Sequence, residues 1–251
     1  MRDSDSVIEG KNAVLEAFRA GKTIDRLFIL DGIRDSTISS ILREAKKNST
    51  VLDFVPKSRL DEMCPGDRHQ GVVAYIAAYE YATVDEILQS AADKNEDPFI
   101  ILLDDVEDPH NLGAIIRSAN CAGVHGIIIP KRHSSGLTST VSKASAGAIN
   151  YTPVAKVTNL VKTMEELKKK GIWFACADMD GTPMYDLNLT GPIGIVIGNE
   201  GKGVGQLVRK TCDMVASIPI NGEIESLNAS VASGILSYEV VRQRIYKSKV
   251  K

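Results

Sequence analysis

Residues 218–232 read Ile-Pro-Ile-Asn-Gly-Glu-Ile-Glu-Ser-Leu-Asn-Ala-Ser-Val-Ala, and this stretch passes from an apolar strand through a polar turn into a helix of small residues. The Asn-Gly pair inside it is typical of a tight turn. Either Ser226 or Asn228 can cap a helix that begins near Ala229, and capping needs only one of them. The stretch therefore predicts a polar turn before a helix of small residues. Their small side chains allow another backbone to pass close by, and dense packing alone is a sufficient reason for them.

A glycine-rich segment follows an earlier apolar strand. Residues 194–205 contain five glycines and a single acid, Glu200. Glycines at the end of a strand let the backbone approach a ligand closely. The spacing is neither that of a dinucleotide fingerprint nor that of a nucleotide-triphosphate loop, because Val204 follows Gly203, where such a loop needs lysine. The segment is compatible both with a loop that binds a cofactor and with a tight turn whose acid, Glu200, caps a helix.

A third segment, residues 108–119, reads Asp-Pro-His-Asn-Leu-Gly-Ala-Ile-Ile-Arg-Ser-Ala and also follows an apolar strand. Pro109 predicts a turn, and Asn111 can cap the helix that comes next. Arg117 then falls in the first turns of that helix, where the helix dipole disfavours a cation. A phosphate or carboxylate ligand explains a positive group there, and an ion pair with Glu107 is the alternative.

Apolar strands alternate with helical patterns through the C-terminal part of the chain. Runs rich in β-branched residues predict strands over residues 99–103, 126–129, 172–177, 193–197 and 214–218. Continuous runs of this kind are typical of a parallel sheet that is covered on both faces. Ligands of such sheets bind outside the carboxyl ends of the strands, and all three polar segments follow directly after strands. We therefore expect the three loops to meet at one edge of an α/β domain.

The N-terminal part predicts a smaller α/β unit. Helical patterns in residues 7–20 and 36–47 alternate with strands over residues 26–30, 51–55 and 70–76. Between residues 77 and 98 the pattern weakens to one helix, near 84–92, and a polar stretch with the composition of a linker. The predicted organisation is an N-terminal domain over residues 1–76, a linker over 77–98 and a C-terminal domain over 99–251.

The charge of the chain limits how it could bind a nucleic acid. The net charge of the 251 residues is −2 at pH 7, which gives no overall attraction to polyanions. Any such contact must therefore be local. The basic candidates near the polar segments are Arg117, Lys131, Arg132, His133, Lys143 and Lys202. Each of them alone is explained equally well as a solvated surface residue.

Cysteine and histidine usage excludes several kinds of site. The four cysteines lie far apart without a Cys-x-x-Cys pair, so neither a disulfide framework nor a zinc site is indicated. His69, His110, His125 and His133 lack metal-ligand spacing, and we predict no metal. The absence of a Gly-x-Ser-x-Gly elbow disfavours a serine nucleophile. Because the first residues lack an apolar signal core and no run is long enough to span a bilayer, we expect a cytoplasmic protein with no membrane partner.

Together and in this order, the three segments resemble the SpoU (TrmH) family of RNA ribose 2′-O-methyltransferases. Residues 8–14, Ile-Glu-Gly-Lys-Asn-Ala-Val, and residues 69–74, His-Gln-Gly-Val-Val-Ala, resemble the substrate-binding domain of the branch that methylates a guanosine in large-subunit (23S) rRNA. The resemblance implies a small N-terminal RNA-binding domain and a homodimer. It also implies a SPOUT-type catalytic domain with a deep trefoil knot, a topology that ordinary connection rules treat as exceptional.

The resemblance further implies a cofactor and a set of site residues. S-adenosyl-L-methionine would bind in the knot, against the backbone of Gly198, Ile218 and Leu227. The catalytic residues of the family fall on Asn111, Arg117, Glu200, Ser226 and Asn228. Arg117 matches the family's candidate base, but an unperturbed guanidinium stays protonated. We therefore expect Arg117 to hold an RNA phosphate or to act through it, while the other four residues orient Arg117 and the nucleotide.

Three other interpretations remain. The catalytic loops do not encode which RNA is methylated, so tRNA is the alternative substrate to rRNA. A relative that only binds RNA would share the fold, although the complete set of five residues argues against lost catalysis. A doubly wound protein that binds another nucleotide would need a phosphate fingerprint, which the sequence lacks.

Overall fold

The computed structural model describes residues 7–65, 67–224 and 226–249, which fall into two compact units. The first unit contains the residues up to Glu80 together with 136–139, and the second contains residues 81–135 and those from Thr140 onward. The first six residues of the chain, for which the sequence predicts no signal peptide, lie outside the described ranges.

The first unit is a four-stranded sheet that packs helices on both faces. Its elements are β1 (Val7–Glu9), α1 (Lys11–Arg19), β2 (Ile24–Leu30), α2 (Ser36–Lys47), β3 (Val51–Val55), α3 (Lys57–Met63) and β4 (Val72–Ile76). The strand order is β1-β4-β2-β3, with β2 and β3 parallel and the other pairs antiparallel. Side chains alternate along β2: Leu27 and Ile29 pack with α1 and α2, whereas Phe28 packs with Leu60 of α3.

The second unit is built on a six-stranded parallel sheet. Its strands are β5 (Phe99–Leu103), β6 (Gly126–Pro130), β7 (Val154–Val157), β8 (Trp173–Pro183), β9 (Ile193–Ile197) and β10 (Met214–Ser217). Its helices are α4 (Val84–Asp93), α5 (Pro109–Cys121), α6 (Ser139–Ala144), α7 (Leu160–Lys169), α8 (Gln206–Thr211) and α9 (Ala229–Lys249). The strand order is β10-β8-β9-β5-β6-β7 and every pairing is parallel. The parallel α/β sheet that the sequence predicts is therefore confirmed.

The register of this sheet brings two of the polar segments together. Leu103, the last residue of β5, pairs with Ile197, the last residue of β9. The loops that follow these two strands therefore begin at the same level. The third segment leads from β10 into α9, which packs against α5. All three segments consequently meet at the carboxyl edge of the sheet.

Several elements differ from what the sequence pattern predicts. Residues 7–9 form strand β1 in place of the first turn of the expected helix, and the pattern predicts neither α3 nor β7. Strand β7 lies at the edge of its sheet, and Lys156 interrupts its apolar run. Within the expected linker, α4 buries Ile87 and Ala91, and Ile87 belongs to the core of the second unit.

In the part of the chain that is described, no helix is long and apolar enough to cross a membrane.

Candidate active site

Asp108, and not Asn111, caps helix α5. The Asp108 side chain accepts a hydrogen bond from the backbone N–H of His110 at 2.8 Å, and Pro109 occupies the first helical position. Proline suits that position because it has no N–H group and its φ is preset. The expectation that Asn111 is the cap is wrong, since Asn111 lies inside the first turn and is only 7% exposed. Its side-chain amide is therefore available for contacts with other loops.

Three side chains, one from each polar segment, form a single hydrogen-bonded network. Asn111 donates from Nδ2 to Oε1 of Glu200 at 2.6 Å. Asn228 donates from Nδ2 to Oδ1 of Asn111 and to Oε1 of Glu200, both at 2.9 Å. Hydrogen bonds to an ionised acceptor are stronger than those between neutral groups. The two amides therefore hold the otherwise exposed Glu200 carboxylate in one orientation.

Asn228 has a second role, at the start of α9. Its Oδ1 accepts hydrogen bonds from the backbone N–H groups of Ser230 at 3.0 Å and Val231 at 3.4 Å, so it caps the helix. Ser226, the other capping candidate, is exposed and makes no hydrogen bond to any described residue. One asparagine thus serves both as the cap and as part of the network, because its oxygen and its nitrogen have different partners.

The loop between β9 and α8, residues 198–205, folds back on itself and is called the glycine loop below. Asn199 and Gly203 exchange two backbone hydrogen bonds, at 3.1 and 2.8 Å. A Cβ atom on Gly198 would lie 2.2 Å from the carbonyl carbon of Gly203, so a larger residue there would displace the loop. Asn199 also ties the loop to the first segment by donating from Nδ2 to the carbonyl oxygen of Asp105 at 3.1 Å. The close return of the chain is the physical reason for glycine at position 198.

Asp104 fastens the far end of the same loop. Its Oδ2 accepts a hydrogen bond from the backbone N–H of Gly205 at 2.8 Å. Burial raises the pKa of Asp104 above its usual value, although this hydrogen bond acts in the opposite direction. Asp104 and Asp105, which no sequence motif singles out, therefore position the glycine loop from both ends.

A cavity of about 270 Å³ lies beside the network. Its walls come from β8, the glycine loop, the segment after β10 and the first turn of α9. The three expected cofactor-binding residues and two of the expected catalytic residues line it, namely Gly198, Ile218, Leu227, Glu200 and Ser226. Asp178 and Met179 also line the cavity. No sequence motif marks them, because only the strand register places them level with the glycine loop.

Arg117 stands apart from the network. Because the helix begins at Pro109, Arg117 lies in its third turn and not in its first turns, so the argument from the helix dipole was wrong. Arg117 is six residues from Asn111, which is about 120° around the helix axis. Its side chain is exposed and has no hydrogen-bond or ion-pair partner in the described ranges. Glu107 lies 3.3 Å from Nδ1 of His133 instead, so the ion-pair alternative is also wrong.

The buried histidines have structural roles. In both His69 and His125, Nδ1 accepts a hydrogen bond from a backbone N–H and Nε2 faces a carboxylate. The partners are Gly71 and Asp61 for His69, at 3.0 and 2.9 Å, and Phe99 and Glu96 for His125, at 3.0 and 3.1 Å. Across the described residues, no group of three or more His, Cys, Asp or Glu side chains could hold a metal ion.

Two of the basic candidates lie close to the polar segments. Lys202 lies in the glycine loop and lines the cavity. Lys131 follows β6, and its backbone N–H donates a hydrogen bond to the carbonyl oxygen of Val157, at the end of the neighbouring strand β7. Burial and the nearby charge of Lys156 lower the pKa of Lys131. The carboxyl edge of the sheet therefore includes two lysines among the acids that surround the glycine loop.

Two family models match the chain, one for each unit. The model of the SpoU rRNA Methylase family matches residues 98–238. The model of RNA 2'-O ribose methyltransferase substrate binding matches residues 7–82.

Relatives match along nearly the whole chain. The chain is 46% identical to "Putative TrmH family tRNA/rRNA methyltransferase YacO" of Bacillus subtilis (strain 168), over 97% of this chain and 98% of that protein. It is 49% identical to a protein with the same family name from Staphylococcus haemolyticus (strain JCSC1435), over 96% of each chain. The crystal structure of the SpoU methyltransferase AviRb from Streptomyces viridochromogenes, in complex with AdoMet, is 26% identical with a TM-score of 0.60, over 96% of this chain and 90% of that one.

Proposed function

Because the chain belongs to the SpoU rRNA methylase family, we propose that it transfers the methyl group of S-adenosylmethionine to a ribose 2′-oxygen in RNA. One observation carries this proposal beyond family membership. Glu200, which the amides of Asn111 and Asn228 orient, lies on the wall of the cavity that Gly198 also lines. Polar groups from three distant segments thus converge beside one cavity, which packing alone does not require.

The residues of the cavity fit S-adenosylmethionine. The apolar side chains of Ile218 and Leu227 line it together with the glycine loop, whose tight return at Gly198 leaves no room for a side chain. Ligand pockets typically combine apolar walls with a few polar groups in this way. Gly198, Ile218 and Leu227 would hold the cofactor, which supplies an electrophilic methyl group on a sulfonium. The crystal structure of AviRb contains AdoMet.

Glu200 is placed to orient the ribose that is methylated. Both amides of the network bind its Oε1, so the carboxylate is fixed at the cavity wall and Oε2 can accept a hydrogen bond from a ribose hydroxyl. Fixing the hydroxyl oxygen in line with the methyl carbon makes the displacement effectively unimolecular. Ser226, exposed on the same cavity wall, would give the nucleotide a further polar contact.

Arg117 would bind the RNA backbone and would not act as an unassisted base. A guanidinium stays protonated at neutral pH. It binds a phosphate through two parallel hydrogen bonds. The exposed Arg117 side chain, without a partner in the described part of the chain, is available for such a contact. We assign it to a phosphate next to the target ribose, and that phosphate or solvent would receive the hydroxyl proton.

The proposed substrate is a guanosine in large-subunit (23S) rRNA. The name of the family model, SpoU rRNA Methylase, supports an rRNA substrate, and the match of residues 7–82 to a substrate-binding model supports a separate RNA-binding unit. The guanosine and the large subunit rest on the resemblance of residues 8–14 and 69–74. The alternative substrate is tRNA, because the names of the relatives give both RNAs. An rRNA substrate also agrees with the expectation of a cytoplasmic protein.

Transfer of a labelled methyl group from S-adenosylmethionine to RNA tests this proposal. Undermodified 23S rRNA and tRNA serve as parallel substrates, and Arg117→Ala serves as the control variant. We expect label in rRNA that disappears in the variant. Label in tRNA alone would select the alternative substrate. Intact cofactor binding without label in either RNA would point to an assembling ribosomal subunit as the substrate or to a protein without catalysis.

We also propose that the protein is a homodimer. Val231, Tyr238 and Ile245 follow one another at intervals of seven residues on α9 and are 47, 52 and 48% exposed. Seven residues make about two helical turns, so the three side chains lie on one face. A second copy packed on this face would remove it from water. Analytical ultracentrifugation should find a dimer for the wild type and a monomer for Ile245→Lys, and a monomeric wild type would contradict the proposal.

The deep knot of the family is a further part of the proposal. Strand β10 pairs with β8, whereas β9 lies on the other side of β8. The chain that leaves β9 must therefore cross β8 before it reaches β10, and such a crossing is compatible with a threaded connection. An experimental trace of residues 193–232 would show whether the chain passes through a loop.

A further inference from the structure

We propose that Asp178 accepts hydrogen bonds from the ribose hydroxyls of the cofactor. The inference rests on the proposed function, because it concerns the same cavity. Asp178 lies outside the three polar segments, and it belongs to the one wall of the cavity that none of them forms.

The strand register places Asp178 beside the glycine loop. Cys176 of β8 pairs with Val196 of the parallel strand β9, so Asp178, two residues further along, is level with Gly198. Both residues line the cavity. In the strand order β8-β9-β5, the β8 wall is separated by β9 from the strand that leads to Asn111. Asp178 therefore faces a different end of the ligand from the Asn111–Glu200–Asn228 network.

Two contacts orient the Asp178 carboxylate. Nε of Arg209, on α8, lies 3.4 Å from Oδ2, and the backbone N–H of Asp180 donates to Oδ1 at 3.1 Å. The Asp178 side chain is 21% exposed, so it is partly withdrawn from bulk water. An ionised carboxylate offers about four acceptor positions. Each oxygen can therefore accept one more hydrogen bond, from a ligand in the cavity.

We infer the orientation of the cofactor in the cavity from the charges on the glycine loop. The methionine end of the cofactor carries an ammonium and a carboxylate group. The loop places Glu200 and Lys202, one charge of each complementary sign, on the cavity wall. With Glu200 orienting the ribose of the RNA, the sulfonium would lie near Glu200 as well. The ribose of the cofactor then extends toward β8, where a carboxylate can accept its hydroxyls, as acids do in dinucleotide-binding sites.

Binding of two nucleosides to the protein without RNA tests the inference. The probes are S-adenosylhomocysteine and its 2′,3′-dideoxy analogue, and isothermal titration calorimetry gives the Kd of each. The wild type should prefer the compound with both hydroxyls by about tenfold or more, because hydrogen bonds to a charged group are strong. In Asp178→Ala this preference should fall to about twofold or less.

Two further variants separate a direct contact from an indirect effect. Asp180→Ala changes a neighbouring exposed acid that does not line the cavity, and it should keep the wild-type preference. Arg209→Gln keeps the Asp178 carboxylate and should also retain a preference for the hydroxyls. The same loss in Arg209→Gln as in Asp178→Ala would show that the ion pair merely shapes the cavity, and would overturn the inference.

The wild-type titrations alone can also contradict the inference. A wild type that binds both compounds equally would rule out an acceptor for the hydroxyls, whatever the variants do. Equal weakening of both compounds by Asp178→Ala would assign the carboxylate to the ammonium group instead. If the wild type binds neither compound, the proposed use of S-adenosylmethionine fails, and this inference fails with it.

Discussion

Asn228 donates its side-chain amide to Oδ1 of Asn111 at 2.9 Å, across 117 residues of sequence. The contact joins the residue that caps α9 to the first turn of α5, and these two helices pack against each other. Both amides also bind Glu200 of the glycine loop. These three side chains therefore connect the three segments directly.

Asn228→Asp should separate the two roles of Asn228. The aspartate keeps the oxygen that caps α9 but loses both amide hydrogen bonds and adds a negative charge beside Glu200. Methyl transfer should fall by about tenfold to a hundredfold. The free energy of unfolding should stay within about 1 kcal/mol of the wild type, because Asp caps a helix as well as Asn. Asn228→Ala, which loses the cap too, should be less stable than Asn228→Asp in urea titrations, and equal stability would contradict the capping role.

Gly198→Ala should abolish binding of S-adenosylhomocysteine, measured by calorimetry. The added Cβ would lie 2.2 Å from the carbonyl carbon of Gly203, so the glycine loop must move away from the cavity. Gly222→Ala is the matched control, because a Cβ there meets nothing within 4 Å and the residue does not line the cavity. Wild-type affinity in Gly198→Ala would show that the loop tolerates the displacement and does not form the cofactor site.

Arg117→Lys should lower methyl transfer by about tenfold or more, although the charge is retained. Lysine cannot form the two parallel hydrogen bonds that a guanidinium makes with a phosphate. The melting temperature should not change, since Arg117 is exposed and lacks partners in the ranges that the structure describes. Near-normal turnover in this variant, under single-turnover conditions, would refute the role in holding a phosphate.

His125 should make the stability of the second unit depend on pH. Burial, followed by the charge of Lys94, lowers the pKa of His125 below its usual value. The native state therefore binds a proton less readily than the unfolded state, whose His pKa is about 6.5. The stabilising contribution is present above that pH and is lost as the pH falls below it, by at most about 1.4 kcal/mol per pH unit.

Urea unfolding at pH 7.5 and pH 5 measures this effect in the wild type and in His125→Gln. The wild type should lose more stability between the two pH values than the variant, because the proton on Nδ1 removes the acceptor for the N–H of Phe99. An identical loss in both proteins would show that other groups determine the pH dependence.

The sequence predicts the strands of the catalytic sheet because their apolar runs are continuous. It also predicts that three polar segments converge, since the carboxyl ends of parallel strands share one edge. The family that these segments suggest is confirmed by the matching models and relatives. Strand β7 is not predicted, because it is short, lies at the sheet edge and contains Lys156, which interrupts its apolar run.

Side-chain partners were less predictable than strands. The sequence pattern favours Asn111 as the cap of α5, but Pro109 occupies the first helical position, and this makes Asp108 the cap. The helix therefore begins three residues earlier than a cap at Asn111 would allow, which puts Arg117 in its third turn. Asp178 carries no local signal at all, because its place on the cavity wall depends on the register between β8 and β9.

Identification of the methylated nucleoside tests the central claim most directly. Undermodified 23S rRNA is incubated with the protein and labelled S-adenosylmethionine, digested to nucleosides and analysed by mass spectrometry. The label is expected in 2′-O-methylguanosine, and it should be absent when Arg117→Ala replaces the wild type. Label on a nucleobase, or on no nucleoside although the protein binds the cofactor, would contradict ribose methylation.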